Sequence, residues 1–242
     1  MLSMGYLIRG IMEFNEIIAN LPAPYYRDNQ ADIAIYCQDC REILPLIPDG
    51  SIDLVLTDPP YGVDIASENK VGGSVLANNT KHLVSDWDSK PIDDTLMGDI
   101  IRQGKQAMIF GGNYYTLPPS PCWLIWNKRG DYPSNNFADC ELVWTSMSKP
   151  SRIYKYLWQG MLQQDMKNKD YHYHPTQKPI SVMRWCILQA DKPQTILDPF
   201  MGSGTTLRAS LDLNRKCIGI EIEEKYCEIA AKRLSQGVLE LI

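Results

Sequence analysis

"TILDPFMGSGTTLRAS", Thr195 to Ser210, is the stretch whose reading decides the fold. Ile196 and Leu197 read as the end of a buried strand, Gly202 and Gly204 as a tight turn, and Thr205 and Thr206 as the opening of a helix. The next apolar run, "KCIGIEI" (216–222), supplies the second strand of a βαβ unit. Glycines let backbone approach a ligand closely, and the N–H groups of a helix start favour an electronegative group.

The same alternation continues outward from this unit. "DIAIYC" (32–37), "SIDLVLT" (51–57), "QAMIF" (106–110), "CWLIW" (122–126) and "CELVWTS" (140–146) are short and mostly continuous apolar runs, the pattern of strands covered on both faces. Helical patterns run over 94–104, 180–191, 205–213 and 223–236. The expected fold class is α/β, with a doubly wound, mostly parallel sheet. Residues 62–90 and 147–173 carry no apolar period and read as long loops of the kind that serve a function.

The chain has 242 residues, 44% hydrophobic and 22% charged, and a single domain over 1–242 is expected. No apolar run approaches the length that spans a bilayer, so the expectation is a cytoplasmic protein with no membrane partner. Seven scattered cysteines do not make a disulfide framework. The one CxxC, Cys37 and Cys40, lacks the further ligands of a zinc site, so no metal is expected. A net charge of −5 argues against coating nucleic acid indiscriminately. Lys149 to Arg184 nevertheless holds seven positive residues against two negative. Such a stripe on an acidic body orients a polyanion, with Lys149, Arg152 and Lys155 as candidate contacts; a solvated loop is the alternative.

Carboxylates stand at strand ends. Glu221 follows Gly204 by 17 residues, an offset suited to a ribose with free hydroxyls. The loop reads DPFMGSGTT rather than GxGxxG, and Asp198 would repel a pyrophosphate but suits a cationic amino group. S-adenosylmethionine has both an α-amino group and a ribose; a dinucleotide is the alternative. A further acid, Asp58, lies in "VLTDPPYGVD" (55–64), directly after an apolar run and before two prolines and a tyrosine.

Together these motifs resemble the amino-methyltransferases of DNA, which methylate exocyclic nitrogens through a (D/N/S)PP(Y/F/W) motif beside an FxGxG cofactor motif. The first matches at Asp58, Pro59, Pro60 and Tyr61, the second at Phe200, Gly202 and Gly204 after Asp198 and Pro199. "HPTQKP" (174–179), "YCQDCREIL" (36–44), "GGNYY" (111–115) and "WLIWNK" (123–128) are similar too, the last two to phage and prophage members. The catalytic motif precedes the cofactor motif, the order of the family's β group, in which a target-recognition segment lies between them. Here that segment is about 149–173. The resemblance implies a Rossmann-like methyltransferase fold, with S-adenosylmethionine held by Asp39, Thr176, Lys178, Asp198, Phe200, Gly202, Ser203, Gly204, Thr205 and Glu221. It implies double-stranded DNA as partner, a homodimer as one arrangement, and methylation of adenine N6, with cytosine N4 or an inactive DNA-binding module as alternatives.

The chemistry explains the residue types. An exocyclic amine is a poor nucleophile because its lone pair is delocalised into the ring. An Asp58 carboxylate and a Pro59 carbonyl that each accept one N–H would localise it, and the prolines fix the backbone that aims that carbonyl. Tyr61 offers a face on which a flipped base can stack. The strand aromatics Tyr114, Tyr115, Trp123 and Trp126 read as core.

Overall fold

Ile33 and Ile35 join one core cluster and Ala34 and Tyr36 another, and all four are fully buried. Successive strand residues point to opposite faces, so a continuous apolar run fills the space on both sides of a sheet. The computed structural model describes residues 13–62, 91–134, 138–159, 162–167, 169–170, 173 and 177–235. The first half of the chain forms α1 (Phe14–Ala19), β1 (Tyr26–Asp28), β2 (Ile33–Cys37), α2 (Cys40–Ile43), β3 (Ile52–Thr57), α3 (Asp94–Gln103) and β4 (Gly104–Phe110). There follow β5 (Trp123–Asn127), β6 (Cys140–Thr145), β7 (Arg152–Lys155), β8 (Trp158–Gln159) and β9 (Leu162–Gln163). The last part holds α4 (Ile180–Gln189), β10 (Thr195–Asp198), α5 (Thr205–Asp212), β11 (Lys216–Glu221) and α6 (Glu224–Ser235).

The main sheet runs in the order β1-β2-β11-β10-β3-β4-β6-β5-β7. β2, β11, β10, β3 and β4 are parallel to their neighbours within that block. β1 and β6 run against theirs, and β7 is parallel to β5. Val182, Met183 and Leu207 of α4 and α5 cover one face, and Ile17, Ile43 and Ile100 of α1, α2 and α3 cover the other, the doubly wound α/β arrangement. β3 leads on to β4 and β10 to β11, in opposite directions. The strand order therefore reverses between β3 and β10, and ligands of open α/β sheets sit beyond the strand ends at such a reversal.

One expected loop departs from expectation. Arg152 to Lys155 lie in the sheet as its edge strand, pairing Arg152 with Leu124 and Lys155 with Asn127. An edge strand needs only one partner and keeps much of its surface in water, so charged residues are favoured there and mask the apolar pattern. Residues 63–90 of the other long segment lie outside the described residues. No described helix is long and apolar enough to cross a membrane, and all seven cysteines are free thiols.

Candidate active site

Asp198 is the last residue of β10, and Asp58 follows the last residue of its neighbour β3. The two strand ends are tied together: Thr57 Oγ1 donates to Asp198 Oδ1 at 2.7 Å. The Phe200 N–H donates to the same oxygen at 3.1 Å, and the Thr206 hydroxyl donates to Oδ2. Burial pushes the Asp198 pKa up to about 6, against the pull of these three donors.

The turn that follows is held from both sides. Gly202 and Gly204 have φ of +50° and +79°, and a Cβ on Gly204 would lie 2.7 Å from that of Ala230, so glycine lets α5 start against α6. The Gly202 N–H donates to Glu221 Oε2 at 3.0 Å and the Glu223 N–H to Oε1 at 2.9 Å, while burial pushes Glu221 up to about 7. Ser203 Oγ donates to Gln177 at 3.0 Å, and Arg233 of α6 donates to the Ser203 carbonyl at 2.6 Å. Gln177 lies in the "HPTQKP" stretch already singled out in the sequence, whereas Arg233 carries no sequence signal of this task, because it reaches the turn from a helix further along the chain.

A cavity of about 420 Å³ opens over these strand ends. Asp198, Phe200, Gly202, Ser203, Thr205 and Glu221 line one part of it, and Asp39, Asp58, Pro60 and Lys178 are among the residues that line another. Gly204 stands behind this wall as the residue preceding α5. Asp39 caps α2, accepting from the Arg41 N–H at 2.9 Å and pairing with its guanidinium at 3.3 Å. Thr176 lies outside the described residues.

The Asp58 corner is crowded with charge. Tyr61 donates its hydroxyl to Oδ1, and the Lys178 ammonium bonds Oδ2. On its other side Lys178 stands 3.3 Å from Glu141 Oε2, and Glu141 Oε1 lies 3.3 Å from Lys128 Nζ. Burial raises the Asp58 pKa, with Lys178 opposing it. Burial works against the Lys178 charge too, but the carboxylates of Asp58 and Glu141 outweigh it and the lysine stays cationic. Tyr115 donates its hydroxyl to the Pro60 carbonyl at 2.7 Å and lies 3.1 Å from that of Pro59. Tyr114 stacks on Tyr61 with ring centroids 5.0 Å apart and planes 20° apart. A Cβ on Gly111 would fall 2.2 Å from the Tyr61 ring, so only glycine leaves room for it. Tyr114, half exposed, thus belongs to the site rather than to the core in which the sequence pattern puts it; Tyr115 packs against the core while its hydroxyl reaches the site, and Trp126 is core, fully buried.

Of the three basic candidates, Lys149 and Arg152 lie together, but away from the Asp58 corner. Lys178 immediately precedes Pro179, which caps α4. Lys149 and Arg152 sit at the other end of that helix, lining a second cavity with Leu188 and Gln189. Ten residues of helix put these ends about 15 Å apart. Lys149 pairs there with Asp191 and donates to the Gln189 carbonyl at 2.9 Å. Lys155, at the end of β7 beside Asn127, is the one on the Lys128 side, and it pairs with Asp131 at 2.7 Å. Tyr154 stacks on Trp185 of α4 at 5.1 Å, so that ring face is used for packing.

Residues 126–232 match the family described as DNA methylase. The Type II methyltransferase M2.LlaDCHI of Lactococcus lactis subsp. cremoris is 27% identical, over 88% of this chain and 93% of its own length. The Type II methyltransferase M.HinfI of Haemophilus influenzae is also 27% identical, over 82% of this chain and 67% of its own. Among solved structures, the complex of M1.HpyAVI with S-adenosylmethionine is similar, with a TM-score of 0.52 and 26% identity over 84% of this chain and all of that one. The cytosine-N4-specific PvuII DNA methyltransferase shares the fold, with a TM-score of 0.57 at 18% identity over 87% of this chain and 88% of its own.

Proposed function

We propose, on the premise that this chain belongs to the DNA amino-methyltransferase family, that it methylates the exocyclic N6 of an adenine flipped out of double-stranded DNA, with S-adenosylmethionine as methyl donor. The observation that carries this reading is the Thr57–Asp198 hydrogen bond, which joins the Asp58 turn and the glycine turn over one cavity. The cavity suits the donor chemically. Asp198 keeps acceptor capacity for an ammonium group, Glu221 for ribose hydroxyls and Asp39 for an adenine amine, and Gly202 has nothing within 4 Å of the place a Cβ would fill. S-adenosylmethionine supplies an electrophilic methyl group on a sulfonium.

The chain's own part is to prepare the nitrogen. Asp58 and the Pro59 carbonyl each accept one N–H, which draws the amine toward tetrahedral geometry and frees its lone pair. Orientation of that lone pair accounts for much of the rate. Asp58 need not act as a base beforehand, because the nitrogen becomes acidic once it carries the methyl group. Tyr61 stacks on the base with the ring face that Tyr114 does not cover. An aspartate heads the catalytic motif, which favours adenine, since serine is the more typical residue in cytosine enzymes.

Methyl transfer from labelled S-adenosylmethionine to unmethylated DNA, digested to nucleosides, tests the reading, with Asp58→Ala as control. N6-methyladenine that disappears in the variant is the expected result. N4-methylcytosine would keep the mechanism and change the base, and a protein that binds the cofactor yet labels no DNA would overturn the proposal.

A further inference from the structure

Four buried or half-buried charges alternate in a row at the Asp58 corner: Asp58, Lys178, Glu141 and Lys128. Asp58 has a role in the proposed reaction, and Lys178 is its ion-pair partner. Glu141 has no such role, although it comes from β6, two strands from β3. Its Oε2 lies 3.3 Å from the Lys178 ammonium, a longer contact than the one that ammonium makes with Asp58. It is the second carboxylate on a cation that Asp58 holds more closely.

The difficulty it addresses is physical. With Lys178 on Oδ2 and Tyr61 on Oδ1, both Asp58 oxygens are engaged. A target amine entering from the cavity competes there with the ammonium, which lines the same cavity, and a buried ammonium drawn away from a carboxylate is costly. Lys178 has a flexible four-carbon stem and is 8% exposed, so water is not a ready substitute partner.

We propose that Glu141 is a positioning residue that receives the Lys178 ammonium when the amine of the target base takes over Asp58. The acceptor is vacated while the cation keeps a partner, and Lys128 holds the Glu141 carboxylate in place from the other side. This rests on the reading of Asp58 as the amine-binding carboxylate.

The test is steady-state kinetics of Glu141→Gln beside wild type, with cofactor affinity measured by calorimetry. Expected are a fall in kcat/KM for DNA of about 10- to 100-fold, carried mainly by KM, and cofactor affinity within about twofold of wild type. The groups facing Asp58 are Lys178, Tyr61, Glu141 and Asp198. Removing the Glu141 charge lets Lys178 hold Asp58 ionised to lower pH, so the acid limb of kcat/KM moves down. Lys128→Gln added to Glu141→Gln removes the cation left unpaired, restoring stability but not KM. In a Lys178→Gln background, Glu141→Gln should add no further loss, since the two act as one device. An unchanged KM and acid limb, full rescue by Lys128→Gln, or additive losses with Lys178→Gln would each overturn the inference. A wild type that methylates no DNA would instead overturn the reading beneath it.

Discussion

A lysine paired with an aspartate stands at each end of α4, and the two pairs behave differently. At the N-terminal end, Lys178 is 8% exposed between two carboxylates and faces a cavity of about 420 Å³. At the C-terminal end, Lys149 is 37% exposed and its partner Asp191 71%. In the first place water has been removed, so each charge depends on its neighbours; in the second, solvent screens the pair and it contributes little. A count of lysines in the sequence treats these positions alike. Burial is what separates a charge that shapes chemistry from one that decorates a surface.

The comparison can be broken at its buried end first. Asp58→Ala should lower methyl transfer by about 10³-fold or more while leaving cofactor binding measurable, because the amine loses an acceptor that matters most in the transition state. Retained turnover would take Asp58 out of the chemistry. Next in size, Lys178→Met leaves Asp58 and Glu141 facing one another and should cost about 3–5 kcal/mol in urea unfolding at neutral pH. A midpoint equal to wild type would mean that the buried pair is no more consequential than the one at the far end.

A third effect concerns pH. Glu221 is pushed up to about 7, above the ordinary 4.5, so the fold favours its neutral form. Its stabilising share is complete below about 4.5 and is lost as pH rises through about 7. The proposed ribose contact needs the carboxylate, so S-adenosylmethionine affinity should rise about tenfold from pH 5.5 to 7.5, with protons released on binding near pH 6. Calorimetry in buffers of different ionisation enthalpy reads both, and a flat profile would remove Glu221 from the contact. The smallest effect sharpens the contrast: Lys149→Ala should cost at most about 1 kcal/mol, less in high salt, with methyl transfer unchanged. A loss of transfer would mean that the DNA path runs past the far end of α4.

Legibility followed the same division. The strand–turn–helix run at 195–210 and the Asp58 turn are local, written in consecutive residues, and both stand at strand ends in the structure. Lys149 and Arg152 were legible as positive charges but not as neighbours of the far end of α4, since sequence distance from "HPTQKP" says nothing of which end of a helix a strand meets. Tyr115 looked like a strand aromatic; its hydroxyl instead holds the Pro60 carbonyl. Glu141 looked like one polar residue in an apolar run, and its partners Lys128 and Lys178 lie 13 and 37 residues away in the chain.

The sequence by itself determined the α/β class, the two motif-bearing turns and the acids at the strand ends, because period, glycine and proline act over a few residues. Only the tertiary structure decided that β3 and β10 are neighbours, that Lys178 stands between Asp58 and Glu141, and which cations face the cavity. Those depend on strand order and on the exclusion of water, which arise only when segments far apart in the chain pack against one another.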